Sequence, residues 1–195
     1  MLRKACLSID QRRASFERVK WGRPTIDKKS TPEWFEQKWL AGDHSDIGGS
    51  YPENESRLSD ISLKRMLDAA VEVGMHYDTN VLQLYPDAAG MQHDETKSSI
   101  FRYFGRRFRD PSDDATLHPS VFERFREPSV LQYDVVAEYR PWCLRNHRDL
   151  QQYKFTPPAV TFWDSLWDAV WNLTNSARVQ IRRLCNHAIT SLRRE

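Results

Sequence analysis

An α/β chain, mostly helical with a few strands, is what this sequence predicts, and three neighbouring observations predict it. The segment EWFEQKWLAG, residues 33–42, has the aromatic content of a short strand. Three of the chain's seven glycines, Gly42, Gly48 and Gly49, follow within eight residues, which marks a constrained turn. SDISLKRMLDAAVEVG, residues 59–74, then places apolar side chains at helical spacing. Strand, glycine-rich turn carrying His44, helix is thus the local architecture around the one imidazole flanked by two carboxylates, Asp43 and Asp46.

Taken in order, residues 2–21 suit an amphipathic helix, with Leu2, Ala5, Cys6, Ile9 and Arg13 at roughly helical spacing. GRPTIDKKSTPE, residues 22–33, is loop chemistry, and the strand after it should bury Trp39 and Leu40 at its end. In the helix that follows the turn, Ser59 is the expected N-cap and Asp60 suits the first turn. Leu63, Met66, Leu67, Ala70 and Val71 form the expected buried face, and Gly74 should end the helix in a left-handed conformation. Residues 75–115 mix turns with a short helix at ETKSSIFRYFGRRF (95–108), and LHPSVFERFRE begins another helix, with Pro119 acceptable in its first turn. VLQYDVVAEYRPWCL reads as a strand ending at Pro141, and RNHRDLQQYKFTPP (145–158) as a linker.

From Thr161 onward, Trp163, Trp167 and Trp171 stand four residues apart, with aspartates early and arginines late, the order the helix dipole favours. Such a stripe packs on its own domain or lies on a lipid surface; its two aspartates exclude a membrane span.

The totals narrow the function classes. At 39 % hydrophobic and 29 % charged, the 195 residues describe a polar globular chain. Its 29 basic and 27 acidic residues are mixed, which argues against nucleic acid as the main partner. Cys6, Cys143 and Cys185 are widely spaced and form no Cys-x-x-Cys pair, as expected of reduced thiols. The N-terminus has no apolar run of signal-peptide length, so the expected location is cytoplasmic as synthesised.

His44 can act as a general base, because its charge changes near neutral pH and a neighbour can fix its tautomer. Metal binding by Asp43, His44 and Asp46 is the weaker reading, since adjacent residues rarely converge on one ion and no second His or Cys stands four residues away. No metal or other cofactor is therefore expected. The His93-Asp94 pair is by itself a common turn feature. A serine nucleophile of the α/β-hydrolase type needs a Gly-x-Ser-x-Gly elbow, and none occurs in the 195 residues.

WLAGDHSDIGGSYPENESRLSDISLKRMLDAA resembles the signature of an uncharacterised α/β-hydrolase domain family that includes type VI secretion phospholipase effectors of the first lipase-effector class. LSIDQRRASFERVKW, MQHDETKSSIFRYFGR, LHPSVFERF and YRPWCL are similar to further segments of that family, so the resemblance covers roughly residues 2–145. Two departures stand out: Ser50 replaces a third glycine, and the family's H-D-S segment is His93-Asp94-Glu95 here.

The resemblance implies the C-terminal portion of an α/β-hydrolase fold with an incomplete central sheet, acting on lipid esters through a Ser-Asp-His triad. His44 would be the triad histidine. Gly42, Asp43, Asp46, Gly48 and Gly49 would shape its loop, and Asp10 is the fallback for the acid, in a context that reads as a helix face free to pair with Arg12 or Arg13. The nucleophile would precede the matched segments. The implied organisation is a hydrolase-core part with the His loop (1–75), a family extension (76–150), and a linker with a Trp/Arg-rich tail (151–195). The implied partners are a lipid substrate, an N-terminal half or full-length hydrolase, and a membrane surface through residues 161–195, with export by a type VI system for intact members. The alternative is a non-catalytic interaction or membrane-surface protein derived from such a hydrolase.

Overall fold

Side chains alternate across a strand, and in FEQKWL that alternation sends Trp39 to one side and Leu40 to the other. The computed structural model, which describes residues 3–12, 35–95, 108–159, 165, 169–170 and 173, shows both sides occupied. Strand β2 (Phe35–Leu40) runs parallel to β1 (Arg3–Ser8), in a register from Arg3 opposite Phe35 to Ser8 opposite Leu40. Trp39 joins a core of Ile9, Leu117, Val121, Phe125, Val130, Tyr139, Leu144 and Leu150, while Leu40 packs with Leu58 and Ile61. Covering of both faces is the usual condition of parallel strands.

The N-terminal helix expected over residues 2–21 is therefore corrected: its described part is β1 followed by non-helical backbone at 9–12, and residues 2 and 13–21 lie outside the described residues. Ala5, Cys6 and Leu7 are the short apolar run of a half-buried strand, with Leu7 on one core cluster and Cys6 on the other, and with buried Ile9 just beyond they mimic helical spacing over so few residues. The outer edge of β2 is capped where Trp39 N–H donates to the Thr116 carbonyl at 2.9 Å and His118 N–H to the Trp39 carbonyl at 2.8 Å. The structure is thus one of mixed helices and a few strands in small sheets.

After β2 come a single helical turn, α1 (His44–Gly48), and the helix α2 (Arg57–Val71). Helix α2 starts two residues earlier than Ser59, with Ser56 at the N-cap position; the Ser59 hydroxyl instead donates back to the Ser56 carbonyl at 2.8 Å. The buried face also differs: Leu58, Asp60, Ile61, Ser62, Leu67 and Ala69 turn inward, whereas Leu63, Met66 and Val71 are 41 %, 43 % and 45 % exposed. Polar residues hid this face, because Asp60 accepts the Tyr85 N–H at 2.9 Å and the Ser62 hydroxyl donates to the Ile47 carbonyl. Gly74 does end the helix at φ +95°, with the Met75 N–H reaching back to the Ala70 carbonyl.

Helix α3 (Pro119–Arg126) forms as expected, with Pro119 in the first turn and His118 as N-cap. The strand expected up to Pro141 is a hairpin instead, β3 (Val130–Gln132) against β4 (Val135–Ala137), turning at Tyr133 with φ +61°. The 145–158 stretch is no linker: His147 and Leu150 are buried, and Tyr153 and Phe155 pack on the core around Phe125. Leu150, Tyr153 and Phe155, three and then two residues apart, fasten it despite its polar composition. The helix expected at 95–108 and the Trp163, Trp167 and Trp171 stripe fall almost wholly outside the described residues. Among the described residues no helix is long and apolar enough to cross a membrane.

Candidate active site

The end of β2 is tied to the end of β1 through Gly42. Its N–H donates to Asp10 Oδ2 at 2.8 Å, and its carbonyl accepts the Ser8 hydroxyl at 2.7 Å and the Asp10 N–H at 3.1 Å. Gly42 has φ +114°, and a Cβ there would meet Asp46 Cβ at 2.6 Å, so both conformation and space demand glycine. Asp43 then caps α1 by accepting the N–H groups of Ser45 and Asp46 on Oδ1, each at 2.8 Å, while Asp46 Oδ2 accepts the Asp43 N–H at 2.9 Å. This reciprocal pair is a capping box, and Gly49 at φ +77° ends the turn. Gly48 has open space around the position of a Cβ and no positive φ.

The capping box fixes His44 at the first position of α1, where its ring meets Gln11. Gln11 Oε1 accepts the His44 N–H at 3.2 Å and lies 2.8 Å from His44 Nδ1. A carbonyl oxygen only accepts, so Nδ1 carries the proton and the lone pair sits on Nε2. The Nε2 side faces Ser45 Oγ and Glu95 Oε1, each at 3.4 Å, and the Ser45 hydroxyl donates to Glu95 Oε1 at 2.6 Å. The imidazole is 32 % exposed while Asp43 and Asp46 are buried, so of these three titratable side chains it is the accessible one. Asp43 Oδ2 accepts the Tyr51 hydroxyl at 3.2 Å, and burial, with a contribution from Glu95, raises the Asp43 carboxyl above its ordinary range.

Asp46 does not face His44. It holds His93, accepting the backbone N–H at 3.1 Å on Oδ2 and lying 2.7 Å from Nδ1 through Oδ1. Burial first, and the adjacent Asp43 carboxylate second, push Asp46 up to about 6. Glu55 lies 3.2 Å from the other side of His93, whose ring stacks on Tyr51 with centroids 3.5 Å apart. His93 thus locks α1 to the segment that also delivers Glu95.

Asp10, the fallback acid, is half-buried and accepts from Gly42 N–H and the Tyr139 hydroxyl, the latter at 2.7 Å. Burial raises its carboxyl above the usual range against both hydrogen bonds. It lies just past the end of β1, not on a helix face, and Arg12 pairs with Asp94 at 3.1 Å instead. The residue that meets the imidazole is its neighbour Gln11. Sequence reasoning passed over Gln11 and Glu95, and no local pattern marks either: Gln11 follows the bend after β1, where its N–H donates to the Ser8 hydroxyl at 3.1 Å, and Glu95 arrives from a distant segment.

A ring nitrogen of His44, a carboxylate oxygen of Asp43 and one of Glu95 lie within 4.8 Å of one another. The donor set is therefore not the Asp43, His44, Asp46 trio of adjacent residues, because Asp46 is spent on His93 and the third carboxylate arrives from fifty residues away.

A parallel strand end, a glycine-clamped turn and a tautomer-fixed histidine define a site able to move a proton at Nε2. Residues 2–69 match the family described as T6SS, phospholipase effector Tle1-like, catalytic domain, a span that holds β1, β2, α1 and nearly all of α2. This portion of the chain is thus similar to a type VI secretion phospholipase effector catalytic domain, whose substrate class is lipid. No curated protein and no solved structure matches the chain.

Proposed function

We propose that these residues are the His-bearing part of a lipase-like serine hydrolase of α/β-hydrolase fold, with His44 as the base of an ester-hydrolysing triad. One observation carries the reading: within the span similar to the phospholipase effector catalytic domain, Gln11 holds the Nδ1–H of His44, which places the lone pair on Nε2 of a partly exposed ring. That is the protonation state from which a histidine takes a proton from a serine hydroxyl and returns it to the leaving alcohol. Gln11 does the orienting that a carboxylate does in a Ser-His-Asp site, through a neutral carbonyl.

The nucleophile then comes from outside these 195 residues, which contain no Gly-x-Ser-x-Gly elbow. Two features support completion by a further segment. Among the described residues β1 pairs with β2 alone, and the Gln11 Nε2 group is buried with no hydrogen-bond partner. The purified chain is expected neither to hydrolyse a fluorogenic ester or phospholipid nor to be labelled by a fluorophosphonate probe. Activity is expected when a segment carrying the serine elbow is supplied, and His44→Ala should abolish it. Turnover by the chain alone, lost in His44→Ala, would overturn the reading.

A further inference from the structure

We propose that Asp43, His44 and Glu95 form a divalent-cation site, with zinc the best-fitting ion. The inference goes beyond the hydrolytic reading and does not rest on it. Ligand atoms 2.0–2.2 Å from a tetrahedral zinc ion stand about 3.3–3.5 Å apart, and His44 Nε2 lies 3.4 Å from Glu95 Oε1. The third donor, an Asp43 carboxylate oxygen, is within 4.8 Å of a ring nitrogen of His44 and a carboxylate oxygen of Glu95, so closure around an ion completes a three-ligand set with one open position.

The surroundings of these donors point to the same ligand. A metal-binding histidine ordinarily gives its other ring N–H to a carbonyl or carboxylate, which fixes the tautomer, and Gln11 Oε1 does this for His44 at 2.8 Å. Ligating carboxylates are themselves hydrogen-bonded. Here Asp43 accepts two backbone N–H groups and the Tyr51 hydroxyl, and Glu95 accepts the Ser45 hydroxyl. Each carboxylate oxygen has two lone pairs, so Asp43 Oδ2 keeps one beyond its bond to Tyr51. One nitrogen and two carboxylates are a borderline donor set that suits zinc better than calcium, which takes six to eight oxygens.

Glu95 also comes from a segment pinned independently of the ligands. His93, two residues before it, is held by Asp46 and Glu55, so the carboxylate is delivered to the imidazole by fixed backbone. A cation there takes the Nε2 lone pair, so bound zinc and the general-base role exclude each other at His44.

The test is titration of the untagged, chelator-treated chain with zinc at neutral pH, by calorimetry and by metal analysis after gel filtration. One equivalent of zinc per chain is expected, with affinity reduced roughly tenfold or more in Glu95→Gln and in His44→Gln, and unchanged in His76→Gln, an exposed histidine outside the site. Circular dichroism identical to that of the parent chain identifies the variants as folded, and Glu95→Gln, which keeps the side chain's shape, stands if His44→Gln does not fold. No stoichiometric binding, or binding undiminished in folded Glu95→Gln, overturns the proposal. Failure of ester hydrolysis in the completed enzyme bears on the hydrolase reading alone, because the titration contains no ester and no serine partner.

Discussion

Arg124 is 0 % exposed, among the largest side chains wholly buried within the described residues, and its replacement by methionine should loosen the segment that carries His93 and Glu95. From α3 it donates through Nη1 to the Ala88 carbonyl at 2.6 Å and the Gly90 carbonyl at 2.8 Å, and it lies 5.0 Å from the centre of the Tyr139 ring. Hydrogen bonds from a charged group contribute about 1.5–3 kcal/mol each, so the two short ones together contribute about 3–6 kcal/mol. Removing a buried cation recovers about 1–3 kcal/mol of desolvation, and the stem's packing is largely kept by methionine, leaving a net loss of about 2–3 kcal/mol at the midpoints of these ranges. Urea denaturation followed by circular dichroism measures the total. Amide exchange at Gln92 and His93 shows whether the loss is felt there, since the Gln92 N–H donates to the Leu131 carbonyl and the His93 N–H to Asp46. A variant as stable as the parent, or one destabilised with exchange at these amides unchanged, would refute the view that Arg124 clamps this segment.

Leu150→Ala should cost about 2–5 kcal/mol in the same denaturation experiment, because Leu150 lies in the main core; a surface-like change would return 145–158 to linker status. Gly42→Ala should destabilise by about 1–3 kcal/mol through strain at φ +114° and collision with Asp46, whereas Gly48→Ala meets nothing within 4 Å and should leave the melting temperature unchanged. His118 is held down to about 4, chiefly by burial and then by Lys38 and Arg65, so its folded value lies below the ordinary 6.5. Its contribution is complete above pH 6.5 and is lost as pH falls from 6.5 towards 4; the shift corresponds to about 3 kcal/mol before screening of this half-buried ring, and about 1–2 kcal/mol after it. Denaturation midpoints measured across that window should fall in the parent chain and stay flatter in His118→Asn, which retains an acceptor for the start of α3.

The parts of this fold that were legible in sequence are those whose cause is local. Pro119 before an apolar-periodic run specifies α3, and the three glycines between Trp39 and Ser50 specify a turn because positive φ is needed at two of them, Gly42 and Gly49. What misread were elements whose meaning depends on distant neighbours. Six residues of β1 are a strand because β2 lies beside them, and Asp60 and Ser62 face inward because Tyr85 and Ile47 supply their partners. At the site, His44 could be singled out from its flanking glycines and aspartates, but the roles of those aspartates could not. Asp43 caps α1 and Asp46 holds His93, while Gln11 and Glu95, from 33 and 50 or so residues along the chain, supply the side chains that meet the ring.

The bond from Tyr139 to Asp10 joins residues 129 positions apart and closes over the junction of β1 with Gly42. Contacts of such long range are made late, because the loop between them must be drawn together before they return anything. During synthesis the histidine turn is therefore complete in sequence long before it is complete in structure: until residue 139 leaves the ribosome, Asp10 lacks one of its two donors. A ribosome-bound chain arrested short of that point should leave β1 accessible to protease, and one arrested well beyond Leu150 should protect it.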